Sequence, residues 1–151
     1  MMNVYAIIIL VALLVDYLLN LVADTLNLRA AAGQLPEEFK DVYDAETYRK
    51  SQEYLRTTTK FEWIESTFGL AVLLGFWFAH GFNWLDRVVV GWTADTVVRG
   101  LIYVGLLMAG RFVLALPFDI YSTFVIEERF GFNKTTPGTF VADRIKGIAL
   151  A

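Results

Sequence analysis

Six residues near the C-terminal end of the sequence have the types and spacing for chemistry or for docking: Glu127, Glu128, Arg129, Phe132, Asn133 and Lys134. Adjacent carboxylates can divide the work of general acid and base when a nucleophile or a metal lies within reach. Beside Arg129 and Lys134, two exposed carboxylates more commonly make a structural ion-pair knot. No thiolate chemistry is open to the chain, which has no cysteine, and its one histidine, His80, has no second ligand at a suitable spacing, so no metal ligand is expected. A second polar set, Asp16, Asn20 and Arg111, falls within long apolar runs. A charge at the centre of a membrane helix costs about 2.5–3.5 kcal/mol on insertion scales, so these residues should face protein or a water-filled interior.

The elements that must position these groups are helices, and the solvent they suit is a bilayer. Of 151 residues, 56% are hydrophobic and 15% aromatic, and the mean hydropathy is +0.49; an ordinary soluble domain is about 45–50% apolar. Residues 4–28 form a first apolar run, long enough for the ~20 helical residues that cross a hydrocarbon core. A signal peptide is disfavoured because no Lys or Arg precedes Arg29. Asp16, Asn20, Asp24 and Asn27 step by helical intervals and share one face. Arg111 is expected to neutralise Asp16, with snorkelling to the interface as the alternative. Near the membrane edge, Asp24 and Asn27 are expected to be solvated.

Residues 29–60 turn polar. Leu35-Pro36-Glu37-Glu38 reads as a helix start, and Tyr48, Ser51, Gln52 and Leu55 repeat at helical spacing from about Asp44. No Gly or Pro separates that helix from a second span over residues 61–82, with Trp63, Trp77 and Trp84 suited to interfacial belts. Residues 84–96 read as a short connector, and residues 97–116 as a third span. Pro117 should bend the chain. Beyond it, Glu127-Glu128-Arg129 continues the third helix or begins a turn, and Gly131-Phe132-Asn133 ends it. Thr136 and Pro137 are the N-cap and first residue of a further helix that carries Phe140, Ile145 and Ile148 inward. The expected fold is therefore all-α: three transmembrane helices plus helices on the cytoplasmic side, in one membrane domain.

Charge gives the orientation and closes one function class. The first loop carries Arg29, Lys40, Arg49, Lys50, Arg56 and Lys60, and the region after Pro117 carries Arg129, Lys134, Arg144 and Lys146, against Arg87 alone between spans two and three. The positive-inside rule puts the N-terminus outside and the C-terminus in the cytoplasm. The sequon Asn133-Lys134-Thr135 then lies on the cytoplasmic side and is expected to be unused. A net charge of -3 argues against a nucleic-acid partner.

The run Leu116-Pro117, Tyr121, Thr123-Phe124-Val125-Ile126-Glu127-Glu128, Gly131-Phe132-Asn133, Thr136, Phe140, Asp143 and Lys146 resembles the type-1 CAAX prenyl protease family, which are integral-membrane zinc endopeptidases. A weaker match through Lys50-Ser51, Tyr54 and Lys60-Phe61 extends the resemblance over roughly residues 35–146. It implies an N-terminal membrane portion that forms part of an intramembrane chamber wall. Glu127, Glu128, Arg129, Phe132, Asn133 and Lys134 would pack near the substrate groove and the catalytic domain. Zinc, bound in the family by an HExxH helix and a further glutamate, belongs to the full-length enzyme, because His80 is followed by Gly81-Phe82-Asn83. The expected partners are the lipid bilayer, the catalytic domain and remaining helices, a prenylated or other membrane-protein substrate, and in isolation a second copy.

Apolar sequence resumes at Ile148-Ala149-Leu150-Ala151, so the chain is expected to be the front part of a longer protein, inactive alone. Two other readings stand beside this one: a stand-alone, non-catalytic membrane scaffold or interaction protein, and a small transporter or channel subunit built around Asp16, Asn20 and Arg111.

Overall fold

Asn3 opens the first helix by accepting the Ala6 amide at 2.8 Å, which satisfies one of the donors every helix start leaves free. A computed structural model describes residues 3–31 and 44–150, all of whose regular elements are helices. The expected helix start at Leu35-Pro36-Glu37-Glu38 lies outside the described residues. Two compact units are described in turn, residues 1–109 and 110–151. Among the described residues, three helices are long and apolar enough to cross a membrane: Val4–Ala31, Glu46–Phe78 and Thr96–Phe130.

In the first unit α1 (Val4–Ala31) and α2 (Ala45–Phe78) pack against each other. The half-buried residues of α1 include Leu10, Leu13, Tyr17, Leu21, Asp24 and Leu28, a stripe at steps of three and four that one helix face must carry. Two polar contacts pin the seam. The Tyr17 and Thr67 hydroxyls meet at 2.8 Å, and the Trp63 indole donates to Asp24 Oδ2 at 3.0 Å. The residue numbers fall along one helix as they rise along the other, so the pair is antiparallel. Asp24, expected to be merely solvated, is instead half-buried and bonded.

The second helix starts where the sequence indicated: Asp44 is its N-cap, with Oδ2 accepting the Thr47 amide. It runs unbroken for 34 residues, about 51 Å at 1.5 Å per residue, well beyond the ~30 Å of a hydrocarbon core. Tyr48 and Gln52 are half-buried and Thr59 buried, whereas Ser51 and Leu55 are exposed.

The helix ends at Phe78, short of the expected residue 82. His80 adopts a left-handed conformation, φ 60°, and the chain restarts at once as α3 (Gly81–Val90). Hence most of the expected connector 84–96 is helical. A glycine at 81 is required because a Cβ there would overlap the Phe76 ring, which also meets Phe82 edge-on at 4.9 Å. Leu85 and Val89 are buried on the same face of α3. Asp95 then caps α4 (Thr96–Tyr121), its Oδ1 accepting the amides of Val97 and Val98 at 2.9 Å each.

Candidate functional site

The residues singled out near the C-terminus belong to the second unit, a helix, a turn and a returning helix. The chain continues helically through Pro117 rather than ending there. Proline removes one backbone donor, and a six-residue π-helical segment, Ser122–Glu127, follows. Such local adjustments are how proline is tolerated within membrane helices. The π segment and the short α5 (Glu128–Phe130) carry Ile126 and Phe130, both buried at 3% and 4% exposure. The apolar helix thus extends well past the expected boundary at residue 116.

Gly131 stops the helix in the left-handed region, φ 76°. The Glu127 carbonyl accepts the amides of Phe132 at 2.9 Å and Asn133 at 3.3 Å, and the Glu128 carbonyl accepts that of Gly131 at 3.0 Å. This is the glycine C-cap that satisfies terminal carbonyls. Asn133 then works in both directions. Its Nδ2 donates to Glu128 Oε2 at 3.0 Å, and its Oδ1 accepts the Thr135 amide at 2.7 Å, an Asx turn.

As the sequence indicated, Thr136 caps α6 (Pro137–Leu150). Its Oγ1 accepts the Thr139 amide at 3.2 Å. The new helix runs back antiparallel along the old one: Phe140 meets Phe124 edge-on, centroids 5.5 Å apart, and Arg144 Nη2 lies 2.7 Å from Asp119 Oδ2. The Arg144 guanidinium also sits 5.0 Å from the Phe140 ring centroid, a cation–π arrangement. Phe140 is half-buried as expected, but Ile145 is 62% exposed; the side chain of Ile148 lies outside the described set.

Glu127, Glu128 and Asn133 are therefore brought together by the turn itself. The Glu128 carboxylate accepts from the Asn133 amide. Arg129 holds its guanidinium 5.5 Å from the Phe130 centroid. Glu128, Phe132 and Lys134 are exposed, Phe132 by 52%. The arrangement presents an aromatic ring and charges of both signs on a fixed turn, which suits recognition. Asp119 and Arg144 were not singled out beforehand. The signal was a carboxylate two residues past a proline in an apolar helix, a group that must find a partner.

In the first unit Asp16 and Asn20 are exposed on α1, at the edge of the seam with α2, and Asn20 Nδ2 donates to the Asp16 carbonyl at 2.9 Å. Arg111, in the second unit, is exposed. His80 forms the corner between α2 and α3. Among the described residues no three His, Asp or Glu side chains gather as a metal would require. With a single histidine and no HExxH in the sequence, the residues present do not fit a zinc site.

Comparison with known proteins gives a consistent picture. The family profile described as CAAX prenyl protease N-terminal, five membrane helices, matches residues 24–151. The chain is 34% identical over 121 residues to the probable CAAX prenyl protease 1 of Schizosaccharomyces pombe, covering 71% of this chain and 25% of that protein. It is 34% identical over 128 residues to CAAX prenyl protease 1 of Saccharomyces cerevisiae, covering 78% and 28%. The crystal structure of S. mikatae Ste24p superposes with a TM-score of 0.88 at 29% identity, covering 99% of this chain and 36% of that one. The chain thus spans about a quarter of the length of the curated relatives it matches.

Proposed function

The chain belongs to the CAAX prenyl protease N-terminal family, and on that premise we propose that it is the N-terminal membrane portion of a zinc metalloendopeptidase, inactive alone. The observation that carries this reading is the likeness of 99% of the chain to one part of Ste24p at a TM-score of 0.88. In this reading α1, α2 and α4 form part of the wall of an intramembrane chamber. Asp16 and Asn20 on α1, and separately Arg111 on α4, are assigned to polar faces turned away from lipid. Zinc and the residues that hold it lie elsewhere in the full-length enzyme, where the metal would activate water and polarise a peptide carbonyl.

The Gly131 turn is the docking element of the proposal. Glu128, Phe132 and Lys134 meet the catalytic domain or the rim of the substrate groove, while Glu127 and Asn133 hold the turn in shape. The substrate class is a prenylated tail or another membrane protein. The distribution of Lys and Arg favours an N-terminus outside and a C-terminus in the cytoplasm.

A chimera tests the reading. The 151-residue chain replaces the corresponding part of the S. cerevisiae relative, and zinc content and cleavage of a prenylated CAAX-type peptide are measured on the chimera and on the chain alone. The expected result is zinc-dependent cleavage by the chimera, and neither zinc nor cleavage with the chain alone. Stoichiometric zinc on the chain alone, or an inserted chimera that binds zinc without cleaving, would overturn it.

A further inference from the structure

We infer that α3 is an amphipathic helix seated in the membrane–water interface, with Trp84 and Trp92 as its anchors among the lipid headgroups. The inference rests on the membrane character of the chain and not on the peptidase reading. Ten residues of α3 extend about 15 Å, half of what a hydrocarbon core requires, so the helix cannot span. It is tied to α2 by residues 79–80 and to α4 by residues 91–95. Both neighbours are candidate spans, so α3 has to lie where they leave the bilayer.

Its faces are unequal. Gly81, Leu85 and Val89 are buried against the rest of the unit, where the Tyr103 hydroxyl also reaches the Phe82 carbonyl at 3.5 Å. Trp84 and Val88 lie on one flank of that stripe, and Trp92 sits in the turn that follows α3, its amide donating to the Val89 carbonyl at 3.0 Å. Both indoles are largely exposed, at 60% and 61%. Asp86 lies on the other flank, about 160° around the helix from Trp84 at 100° per residue.

The occupant of the Trp flank is lipid because the candidate spans on either side of α3 also expose large apolar side chains where they join it: Phe78 at the end of α2 is 54% exposed, and Val97 and Leu101 at the start of α4 are 72% and 70% exposed. Indole combines a large apolar body with one N–H donor, which favours the headgroup level over either bulk phase. A helix with one buried stripe, one aromatic flank and one charged flank lies in the interfacial plane.

The absence of native cysteine makes the test direct. Trp84→Cys, Trp92→Cys and Asp86→Cys chains are spin-labelled, reconstituted in phosphatidylcholine bilayers, and probed with oxygen and with a water-soluble nickel complex. Nickel collisions several-fold lower at positions 84 and 92 than at 86, with oxygen collisions raised, are expected. Equal nickel access at all three positions would put α3 in water, and shielding of 84 and 92 from both probes would mean protein covers the flank; either result overturns the inference. A second measurement does not depend on the labelled variants folding. In the wild-type chain, lipids brominated near the headgroup should quench tryptophan emission, and the quenched fraction should fall in Trp84→Phe/Trp92→Phe, leaving only the part owed to Trp63 and Trp77. A quenched fraction unchanged by that double substitution would also overturn it.

Discussion

Arg144 Nη2 and Asp119 Oδ2 lie 2.7 Å apart, and this contact ties the helix that carries Pro117 to the helix that starts at Pro137. The side chains keep 38% and 30% of their surface in solvent, so screening limits the Coulomb gain. We expect a double-mutant cycle on Asp119→Asn and Arg144→Gln, read from unfolding in mixed micelles, to return a coupling of about 0.5–1 kcal/mol. Arg144→Lys should keep part of that coupling but lose the guanidinium's contact with the Phe140 ring. A coupling of zero would make the pair incidental and leave the Phe124–Phe140 contact to hold α6.

The turn between these helices rests on Gly131. At φ 76° a Cβ is unfavourable, so Gly131→Ala should cost about 1 kcal/mol, and Gly131→Asn less, because asparagine tolerates the left-handed region. Proteolysis within residues 129–134 is the local readout. It should accelerate for alanine while the rest of the chain stays resistant, and a uniform loss of resistance would show that the turn holds up more than its own segment.

Asp24 is the acceptor for the Trp63 indole across the α1–α2 seam. Asp24→Ala strands a part-buried donor, a loss of about 1–3 kcal/mol. Asp24→Asn retains an acceptor oxygen and should cost less. The Trp63 contribution to the emission spectrum should shift for alanine and hold nearly constant for asparagine. Identical stability of the two variants would mean that charge, and not the hydrogen bond, matters at this position.

The sequon at Asn133 is expected to stay unmodified. Both polar atoms of the Asn133 side chain are engaged, Nδ2 with Glu128 and Oδ1 with the Thr135 amide, so the amide would have to leave its turn to be glycosylated. Expression in a glycosylating host should give the unmodified mass. A mass increase abolished by Asn133→Gln would show that the turn opens and would also reverse the proposed orientation.

Much of this fold was legible where the information is local. The helix start near Asp44, Gly131 as a stop and Thr136-Pro137 as a start each follow from one or two side chains acting on their own backbone. The long apolar runs gave the three spans for the same reason. Continuation of the helix past Pro117 was one of the two readings the sequence left open, and the structure takes it, because an apolar surrounding leaves backbone groups no better partner than the next helical turn. One feature was not legible. The pairing of Asp119 with Arg144 depends on α6 folding back, which no local pattern specifies. In the candidate site, the charges of Glu127, Glu128, Arg129 and Lys134 were legible as a cluster, but the bond from the Asn133 amide to Glu128 was not, because it depends on how the turn folds.

The corner at residues 80 and 81 is the other place where sequence was a poor guide, and it yields the sharpest pair of substitutions. His80 bears a left-handed backbone usually given to glycine, while Gly81 sits where the Phe76 ring leaves no room for a Cβ. Relief of the positive φ is worth about 1–2 kcal/mol, offset by roughly 0.5–1 kcal/mol of extra chain entropy lost by glycine on folding, so His80→Gly should be stabilising by a fraction of 1 kcal/mol or more. Gly81→Ala must displace an aromatic ring already fixed edge-on against Phe82, and overpacking of that kind costs about 1–3 kcal/mol. The expected order of thermal stability in one detergent is His80→Gly, then the parent, then Gly81→Ala. A parent more stable than His80→Gly would mean that the imidazole makes a contribution at this corner beyond its backbone conformation, and an unperturbed Gly81→Ala would mean that the Phe76 ring can move aside.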